Sequence, residues 1–226
     1  TPIRPKRLLN IMLGCVLGLF VGLALGLLQE YLDDRINSAE EAEQLLGLPS
    51  LGFVPSLAAT DAKLLPMMKD LDPAAESYRI LRTNIHFASI DNPMKTLLVT
   101  STGPSEGKTT TATNLAFAMA LEGKKIILVD TDLRRPSLQK TLGLPPMPGL
   151  TDVLLERIAP EEALLPIAHV PNLQVLIAGY TPPNPGELLN SRRFQAIVDD
   201  LSSRADMVIF DSPPVMVAAD AAVLAS

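Results

Sequence analysis

The chain has 226 residues, of which 47% are hydrophobic and only 19% charged, and its mean hydropathy is +0.25. This composition is more apolar than that of an ordinary soluble domain, which argues against a wholly soluble protein. The net charge of −6 excludes the broad basic surface that nucleic-acid-binding proteins use, so we expect no nucleic-acid partner. Cys15 is the single cysteine and therefore has no partner for an intrachain disulfide.

An apolar segment lies near the amino terminus. Leu8–Leu28 contains no charged residue and, at about 1.5 Å per residue, is long enough to cross the roughly 30 Å core of a bilayer. We predict a transmembrane helix rather than a signal peptide, because the segment is too long for the apolar part of a signal. Glycines recur in GxxxG steps along it, a spacing that permits close helix packing but is also common in membrane helices generally.

Two short elements are predicted after this helix. Ser38 is a good N-cap, Glu41 follows it three residues later and Gly47 can end a helix, so we predict a short helix between Ser38 and Gly47. Residues 50–55 (SLGFVP) predict a short strand. Residues 56–73 lack periodicity and are interrupted by prolines, which indicates a linker.

The rest of the chain alternates between apolar strands and amphipathic helices. Strands that are apolar throughout are typical of a parallel sheet covered on both faces, and ligands bind such sheets beyond the carboxyl ends of the strands. The predicted strands are 95–100, 125–129, 173–178 and 207–210, and the predicted helices are 74–88, 108–122, 150–157 and 185–204.

These elements divide the chain into three parts. We predict a transmembrane helix with its flanks over 1–36, a juxtamembrane helix and linker over 37–72, and an α/β domain over 73–226. We expect the last strand of the sheet to lie beyond Ser226, so that the α/β domain is incomplete at its carboxyl end.

A phosphate-binding motif follows the first strand of this domain. Residues 102–109 (TGPSEGKT) fit the P-loop spacing GxxxxGK[ST], except that Thr102 stands where the first glycine is usual. Gly107 permits close approach of the backbone, Lys108 can reach the β- and γ-phosphates, and Thr109 offers a hydroxyl to Mg²⁺. The position between a buried strand and a helix predicts a P-loop NTPase fold with a mostly parallel sheet flanked by helices.

Carboxylates follow two other predicted strands. Asp130 and Asp132 come after the second strand, and Asp211 comes after the fourth. The carboxyl ends of parallel strands share one edge of the sheet, so we expect these side chains beside the P-loop. Acidic groups next to a phosphate-binding loop indicate a Mg²⁺-nucleotide site, and hence phosphoryl transfer or nucleotide hydrolysis.

Three motifs together resemble those of the membrane-linked bacterial tyrosine kinases that act with polysaccharide co-polymerases in capsule and exopolysaccharide export. They are TSTGPSEGKT (100–109), IILVDTDLR (126–134) and VIFDSPP (208–214). The segment PPNPGELLNS (182–191) and an ExxRxxR pattern on the helix before the first strand agree with the same family. By this resemblance Glu76, Arg79 and Arg82 would mediate self-assembly into a homo-oligomer.

The resemblance also implies roles for the residues of the three motifs. Lys108, Asp130 and Asp132 would be catalytic, the two aspartates by assisting the metal and by deprotonating or orienting a tyrosine hydroxyl. Arg134 would either steady the developing phosphoryl charge or pair with an acid. Thr109, Asp130 and Asp211 would hold Mg²⁺, the cofactor that accompanies ATP. The residues expected to bind ATP are Gly103, Pro104, Ser105, Glu106, Gly107, Lys108, Thr109 and Thr110.

The resemblance implies an ATP-dependent protein-tyrosine autokinase of the bacterial inner membrane that regulates polysaccharide polymerisation and export. The alternatives are a ParA/MinD-like ATPase and a structural co-polymerase that nucleotide switches without tyrosine phosphorylation. Gly103 counts against the ParA/MinD-like ATPase, which carries an extra lysine at that position. The substrate would be a tyrosine of a neighbouring subunit or of another protein, although Tyr31, Tyr78 and Tyr180 do not form a cluster.

Charges around the apolar segment conflict with this localisation. Arg4, Lys6 and Arg7 precede the predicted membrane helix and Glu30 and nearby aspartates follow it, which by the positive-inside rule would place the amino terminus in the cytoplasm. ATP chemistry requires a cytoplasmic α/β domain instead. The resemblance resolves the conflict, because such proteins have an earlier membrane helix and a large external segment. We therefore expect the α/β domain in the cytoplasm.

Overall fold

The computed structural model describes residues 7–32, 38–55, 64, 72–90, 93–217, 220 and 224. The chain forms two compact units, Thr1–Ser50 and Leu51–Ser226. The predicted linker lies almost entirely outside the described residues. The domain divisions at residues 36 and 72 stay predictions.

The first unit contains two helices. Helix α1 (Arg7–Tyr31) is, among the described residues, the one helix long and apolar enough to cross a membrane, and none of its residues is buried. Helix α2 (Ala39–Leu46) begins where the Ser38 hydroxyl accepts a hydrogen bond from the Glu41 amide at 3.1 Å and ends at Gly47, whose φ is 65°. The predicted short helix and both of its caps are confirmed.

The second unit is built on a five-stranded sheet. Its strands are β1 (Thr96–Val99), β2 (Ile126–Asp130), β3 (Leu165–Ile167), β4 (Val170–Leu176) and β5 (Met207–Asp211). Their order across the sheet is β1-β5-β2-β4-β3, with every pair parallel except β3 and β4. The predicted α/β fold with a mostly parallel sheet is confirmed.

The central strands are buried on both faces, as their apolar sequences predict. Along β2, Ile126 and Leu128 pack in one hydrophobic cluster while Ile127 and Val129 pack in another, because successive side chains point to opposite faces. Helices α3 (Pro73–Ala88), α4 (Lys108–Leu121) and α5 (Leu138–Thr141) contribute to the first cluster. Helices α6 (Leu150–Leu154), α7 (Pro160–Ala163), α8 (Pro185–Leu189) and α9 (Arg192–Arg204) contribute to the second.

Helix α4, which carries the P-loop lysine, is buried on nearly all sides. The sequence predicts a single inner face, whereas every residue from Ala112 to Ala120 is buried. The reason is that α3 packs on the outer side of α4, so that α4 lies between α3 and the sheet. A helix enclosed in this way tolerates an apolar residue at any position and gives its first turn a fixed place.

Several predicted elements differ from the structure. Residues 51–55 form no strand, and there the Leu51 carbonyl accepts a hydrogen bond from the Asn84 side chain. The predicted helix 185–204 is two helices, because the Ser191 hydroxyl caps α9 by accepting from the Phe194 amide. The predicted helix 150–157 ends at Leu154. Strand β1 is an edge strand and only half-buried, and the short strand β3 was not predicted.

Gly149 fixes α6 against the end of β4, and we expect Gly149→Ala to lower the free energy of unfolding by about 3 kcal/mol or more. A Cβ there would lie 2.2 Å from the Ile177 carbonyl oxygen and 2.5 Å from the Gly179 amide nitrogen. Gly143→Ala is the control: its φ is 65° but nothing lies within 4 Å, so the cost is about 1 kcal/mol. Denaturant unfolding measures both; equal losses would contradict the close approach.

Candidate active site

Two of the predicted carboxylates lie side by side at the carboxyl edge of the sheet. Asp130 and Asp211 are register partners at the ends of β2 and β5, and both are fully buried. The Thr131 amide and hydroxyl both donate to the Asp211 carbonyl, at 2.9 and 2.8 Å, and so join the two strand ends. The expected placement of both aspartates at one edge is confirmed.

The P-loop connects β1 to α4 through two residues with left-handed backbone. Ser105 has φ 64° and Gly107 has φ 84°, and α4 begins at the next residue, Lys108. The first amides of a helix have no carbonyl partner within it, so this end of α4 is suited to bind an anion. The Glu106 carboxylate makes its contacts within the loop: it accepts a hydrogen bond from the Thr102 amide at 3.0 Å and lies against Gly103.

A cleft of about 610 Å³ borders the P-loop. Of the residues expected to bind ATP, all but Gly103 and Glu106 line it. Asp130 and Asp211 do not line it. The lining residues are Pro104, Ser105, Gly107, Lys108, Thr109, Thr110, Asp132, Arg134, Arg135, Ser137, Thr141, Pro213, Pro214 and Val217.

Lys108 and Asp132 form an ion pair in the cleft. The lysine Nζ lies 3.5 Å from Asp132 Oδ2, and the two side chains are 12% and 5% exposed. The other oxygen, Asp132 Oδ1, accepts the Arg135 amide at 3.0 Å. Asp132 therefore orients the lysine that the motif assigns to phosphate binding, and it is the one predicted acid that reaches the cleft surface.

Asp130 has a structural role that strand position alone does not reveal. Its Oδ1 accepts the Asp132 amide at 3.1 Å, and its Oδ2 accepts the amides of Ser137 and Leu138 at 3.3 and 3.1 Å. These bonds fold the segment 132–138 back over the end of β2. Burial, reinforced by the charge of Asp211, raises the pKa of Asp130 to about 8, although the backbone hydrogen bonds oppose this rise.

Asp211 is the carboxylate that lacks partners. Neither side-chain oxygen has a hydrogen-bond partner in the described part of the chain, although the residue is buried. Burial raises the pKa of Asp211 to about 6, against the opposing effects of the Thr109 hydroxyl and the Lys108 charge. The Thr109 hydroxyl is near Asp211 but makes its hydrogen bond with the Ser137 hydroxyl, at 2.8 Å.

The donors around Asp211 fit Mg²⁺. A buried carboxylate without partners and the hydroxyl of Thr109 are hard oxygen ligands, and Mg²⁺ in nucleotide sites is commonly held by one or two carboxylates plus phosphate oxygens and water. Among the described residues no group of three or more acidic, histidine or cysteine side chains is arranged to hold a metal by itself. The residues thus suit a metal that arrives with a phosphate ligand.

The two raised pKa values predict that Asp130 and Asp211 contribute a loss of stability to the metal-free protein as the pH rises from about 4 to about 8. Across this range the folded state holds more protons on Asp130 and Asp211 than the unfolded state, so each rise in pH favours unfolding. Thermal unfolding of the full chain in chelator measures this. Asp211→Asn should reduce the difference in unfolding temperature between pH 4 and pH 8, whereas Asp199→Asn, at an exposed position, should not. The same dependence of the unfolding temperature on pH in both variants would contradict the prediction.

Arg134 pairs with an acid in this structure. Its Nε and one terminal nitrogen donate to the two oxygens of Asp220, at 2.7 and 3.2 Å, and Asp220 is 5% exposed on its side chain. Gly186 lies against this pair, since a Cβ there would be 3.0 Å from Asp220 Oδ1. Of the two roles left open by the sequence, the pairing is the one observed, and it joins the segment after β2 to Asp220, beside Gly186 of the PPNPGELLNS segment.

The ExxRxxR residues lie on α3, outside the cleft. Glu76 and Arg79 pair with each other at 3.2 Å, one turn apart. Arg82 instead reaches α4, where it donates to the Ala118 carbonyl at 3.3 Å and lies 3.4 Å from Glu122. Arg82 therefore helps to fix α3 on α4, whatever further role the pattern has.

Comparison with known proteins identifies the family of the chain. Residues 94–226 match the profile of the AAA domain. The tyrosine-protein kinase YwqD of Bacillus subtilis is 45% identical over 150 residues, which cover 66% of this chain and 63% of the relative. The tyrosine-protein kinase ptk of Acinetobacter johnsonii is 33% identical over 99% of this chain and 32% of its own length.

Solved structures extend the likeness to three dimensions. The kinase domain of the Escherichia coli tyrosine kinase ETK matches with a TM-score of 0.78 at 27% identity, over 84% of this chain and 78% of that domain. The BceF tyrosine kinase domain matches with a TM-score of 0.73 at 32% identity, over 84% and 83%. The chain belongs to the AAA domain family and, within it, to the bacterial tyrosine kinases. This family assignment also confirms the P-loop NTPase fold that the motifs predict.

The curated relatives that support the family assignment are longer than this chain. The chain spans 63% of the Bacillus relative and about a third of the Acinetobacter relative. The nucleotide-binding fold and one helix capable of crossing a membrane are therefore established for the chain. The activity, substrates and partners of the whole protein are matters for proposal.

Two residues of the cleft were not singled out from the sequence. Ser137 binds the Thr109 hydroxyl through its own hydroxyl and Asp130 through its amide, and Arg135 adds an exposed positive charge to the cleft wall. Arg135 makes no ion pair with any described residue. Arg135 directly follows Arg134 in the second motif, which was a usable signal, whereas Ser137 carries none, since a serine before a short helix is an ordinary cap.

Proposed function

We propose that the protein is an ATP-dependent protein-tyrosine autokinase of the bacterial inner membrane, with its kinase unit in the cytoplasm, that regulates exopolysaccharide or capsule polymerisation and export. The observation that carries this proposal is the cleft in which the P-loop lysine meets Asp132 above the buried Asp211. The relatives named as tyrosine kinases give the class of reaction its support.

The P-loop is proposed to bind the phosphates of ATP. The first amides of α4 and the Lys108 ammonium supply positive charge on one side of the cleft, and Thr109 and Asp211 supply the oxygen ligands for Mg²⁺ beneath it. When bound with ATP, Mg²⁺ neutralises phosphate charge and orients the γ-phosphoryl group. Asp130 acts as a positioning residue, because its oxygens already hold three backbone amides.

Asp132 is proposed to accept the proton of the incoming tyrosine. A phenol has a pKa near 10 and attacks poorly at neutral pH unless a base or cation assists it. Asp132 lines the cleft, whereas Asp130 and Asp211 lie beneath it. In the proposed step the tyrosine oxygen bonds to the γ-phosphorus, the bond from that phosphorus to the β-phosphate bridging oxygen breaks, ADP leaves and the phenolic proton passes to Asp132.

The experiment that tests the proposal follows the γ-phosphate. Full-length protein in membranes or detergent is incubated with γ-labelled ATP and Mg²⁺, with and without an added glutamate–tyrosine copolymer, and the labelled amino acid is identified after hydrolysis. We expect label on tyrosine. Label found only as free phosphate would support the ATPase or the nucleotide-switched co-polymerase instead, and label on serine or threonine would contradict the assignment to tyrosine.

Self-assembly through α3 is proposed as the partner interaction. The two arginines of the pattern differ in their contacts, since Arg79 pairs with Glu76 on α3 and Arg82 contacts α4. We expect Arg79→Glu to lower oligomer size and to change the unfolding temperature less than Arg82→Glu does, since the ion pair of Arg79 with Glu76 lies within α3. Arg82→Glu should lower the unfolding temperature as well, because it breaks contacts with α4. Light scattering and thermal unfolding measure these effects. Arg192→Glu, on the opposite face of the sheet, is the control, and an unchanged oligomer in Arg79→Glu would reject the interface.

A further inference from the structure

The exposure of the chain's three tyrosines differs widely. Tyr78 on α3 is 2% exposed and packs in the core. Tyr31 is the last residue of the apolar helix α1. Tyr180 is 41% exposed, which makes it the accessible tyrosine among the described residues of the unit Leu51–Ser226. If a chain of this family modifies itself within that unit, Tyr180 is the side chain that solvent and a second molecule can reach.

The backbone around Tyr180 suits entry into another protein's cleft. No helix or strand occupies the stretch between the end of β4 and the start of α8, and the stretch contains consecutive prolines, Pro182 and Pro183. Gly179, directly before the tyrosine, has φ 79°. The carbonyls of Ile177 and Ala178 accept the amides of Leu150 and Thr151, which holds that part of the stretch on α6. Residues 180–183 make no backbone–backbone hydrogen bond with the described residues, and proline lacks an amide donor, so little hydrogen bonding must be broken when these four residues rearrange.

The position of Tyr180 indicates that the phosphate donor is a second molecule. The tyrosine follows β4, whose carboxyl end lies at the same edge of the sheet as Asp130 and Asp211, because β4 and β2 are parallel. It is absent from the residues that line the cleft beside the P-loop. Tyr180 is therefore presented at the active-site edge without belonging to its own active site, which suits a substrate of a neighbouring copy.

A cation lies over the Tyr180 ring. The Arg157 guanidinium carbon is 4.9 Å from the ring centroid, and one of its nitrogens is 3.4 Å from Asp152 Oδ1. The Arg157 side chain is 56% exposed, so it can turn. A tyrosine phosphate carries close to two negative charges and three acceptor oxygens, and a guanidinium binds such a group more strongly than it binds an aromatic ring or one partly exposed carboxylate.

We propose that Tyr180 is a phosphorylation site, modified by a second copy of this chain, and that Arg157 binds the phosphate once it is formed. This inference rests on the tyrosine kinase activity proposed above. The Tyr180 hydroxyl oxygen bonds to the γ-phosphorus of ATP held by the second copy, the bond to the bridging oxygen breaks, ADP leaves, and the phenolic proton passes to Asp132 of that copy. The phosphate then replaces Asp152 as the partner of Arg157.

The test uses full-length protein, ATP with Mg²⁺, and mass spectrometry of the tryptic fragment covering residues 158–192, in which Tyr180 is the only tyrosine. We expect this fragment to carry phosphate in the unaltered protein. A tagged Lys108→Ala chain mixed with unaltered protein should also gain phosphate on Tyr180, which shows transfer between molecules. Label confined to the unaltered chain would overturn the second-copy donor.

Variants separate this inference from the proposed function. Tyr180→Phe should lose the phosphate of this fragment yet still label the added glutamate–tyrosine copolymer, and Tyr31→Phe should lose neither. Arg157→Ala should lower phosphate on Tyr180 by about fivefold under phosphatase challenge, read on residues 141–192 because the cleavage site at 157 is lost, with Arg157→Lys retaining part of it. Label on the copolymer but none on residues 158–192 would overturn the inference alone. No tyrosine label on any protein would overturn the proposed function with it.

Discussion

Replacing Lys108 with alanine is expected to reduce transfer of the γ-phosphate of ATP to tyrosine by about 10³-fold or more. Lys108 is the first residue of α4, and its ammonium group lies in the cleft, 3.5 Å from Asp132 and 12% exposed on its side chain. In such a site few water molecules screen the charge on the transferred phosphoryl group, so the removal of one cation has a large effect on the rate. Transfer of labelled phosphate to the glutamate–tyrosine copolymer measures the effect.

The folded state must be followed in the same experiment. Lys108→Ala leaves the carboxylate of Asp132 without its cation, and a largely buried carboxylate in that position costs stability. Lys108→Met keeps most of the side-chain volume, and the double variant with Asp132→Asn removes the unpaired charge. Lys125→Ala is the matched control, because Lys125 precedes β2 at the opposite end of the sheet from the P-loop. Full activity in a folded Lys108→Met protein would reject the site.

The strand ends were predictable from the sequence because they depend on local pattern. Runs such as IILVD and VIFD are apolar throughout and stop at an acid, and strands buried on both faces have this form in parallel sheets. Their acids therefore meet at one edge for a geometric reason. The caps of α2 were predictable on equally local grounds, since Ser38 and Gly47 act on neighbouring backbone atoms.

The elements that were missed depend on distant parts of the chain. Strand β3 is three residues long and contains Pro166, so its assignment rests on pairing with β4 rather than on its own sequence. The break in the helix 185–204 had a signal in Ser191, but a serine inside an amphipathic pattern is equally compatible with a continuous helix. The full burial of α4 results from α3, which packs across it from residues more than twenty positions away.

The candidate site likewise has some features that local sequence predicts and others that only the folded structure reveals. Lys108 and Thr109 follow from motif spacing, and they do line the cleft. The distinction between Asp130 and Asp211 does not follow from it, since both end a strand. Only the folded segment 132–138 shows that Asp130 is already occupied by backbone amides while the oxygens of Asp211 have no such partners.

That distinction leads to a second large expected effect, at Asp211. Asp211→Asn should reduce phosphate transfer by about 10³-fold while leaving the metal-free protein at least as stable as before near pH 8. The buried carboxylate makes no hydrogen bond with any described residue and burial raises its pKa to about 6, so its charge opposes folding when no cation is present. An amide of the same shape removes that charge and with it a ligand for Mg²⁺.

Thermal unfolding with and without Mg²⁺ and ATP distinguishes a metal ligand from a purely structural residue at this position. A ligand that binds only the folded state raises the unfolding temperature, and this rise should disappear in Asp211→Asn but persist in Asp199→Asn. Thr109→Val should weaken the same rise, whereas Thr109→Ser should keep it, because serine retains the hydroxyl. If Asp211→Asn instead lowered the unfolding temperature of the metal-free protein, the carboxylate would have a structural partner, and the Mg²⁺ site would have to be sought around Asp130.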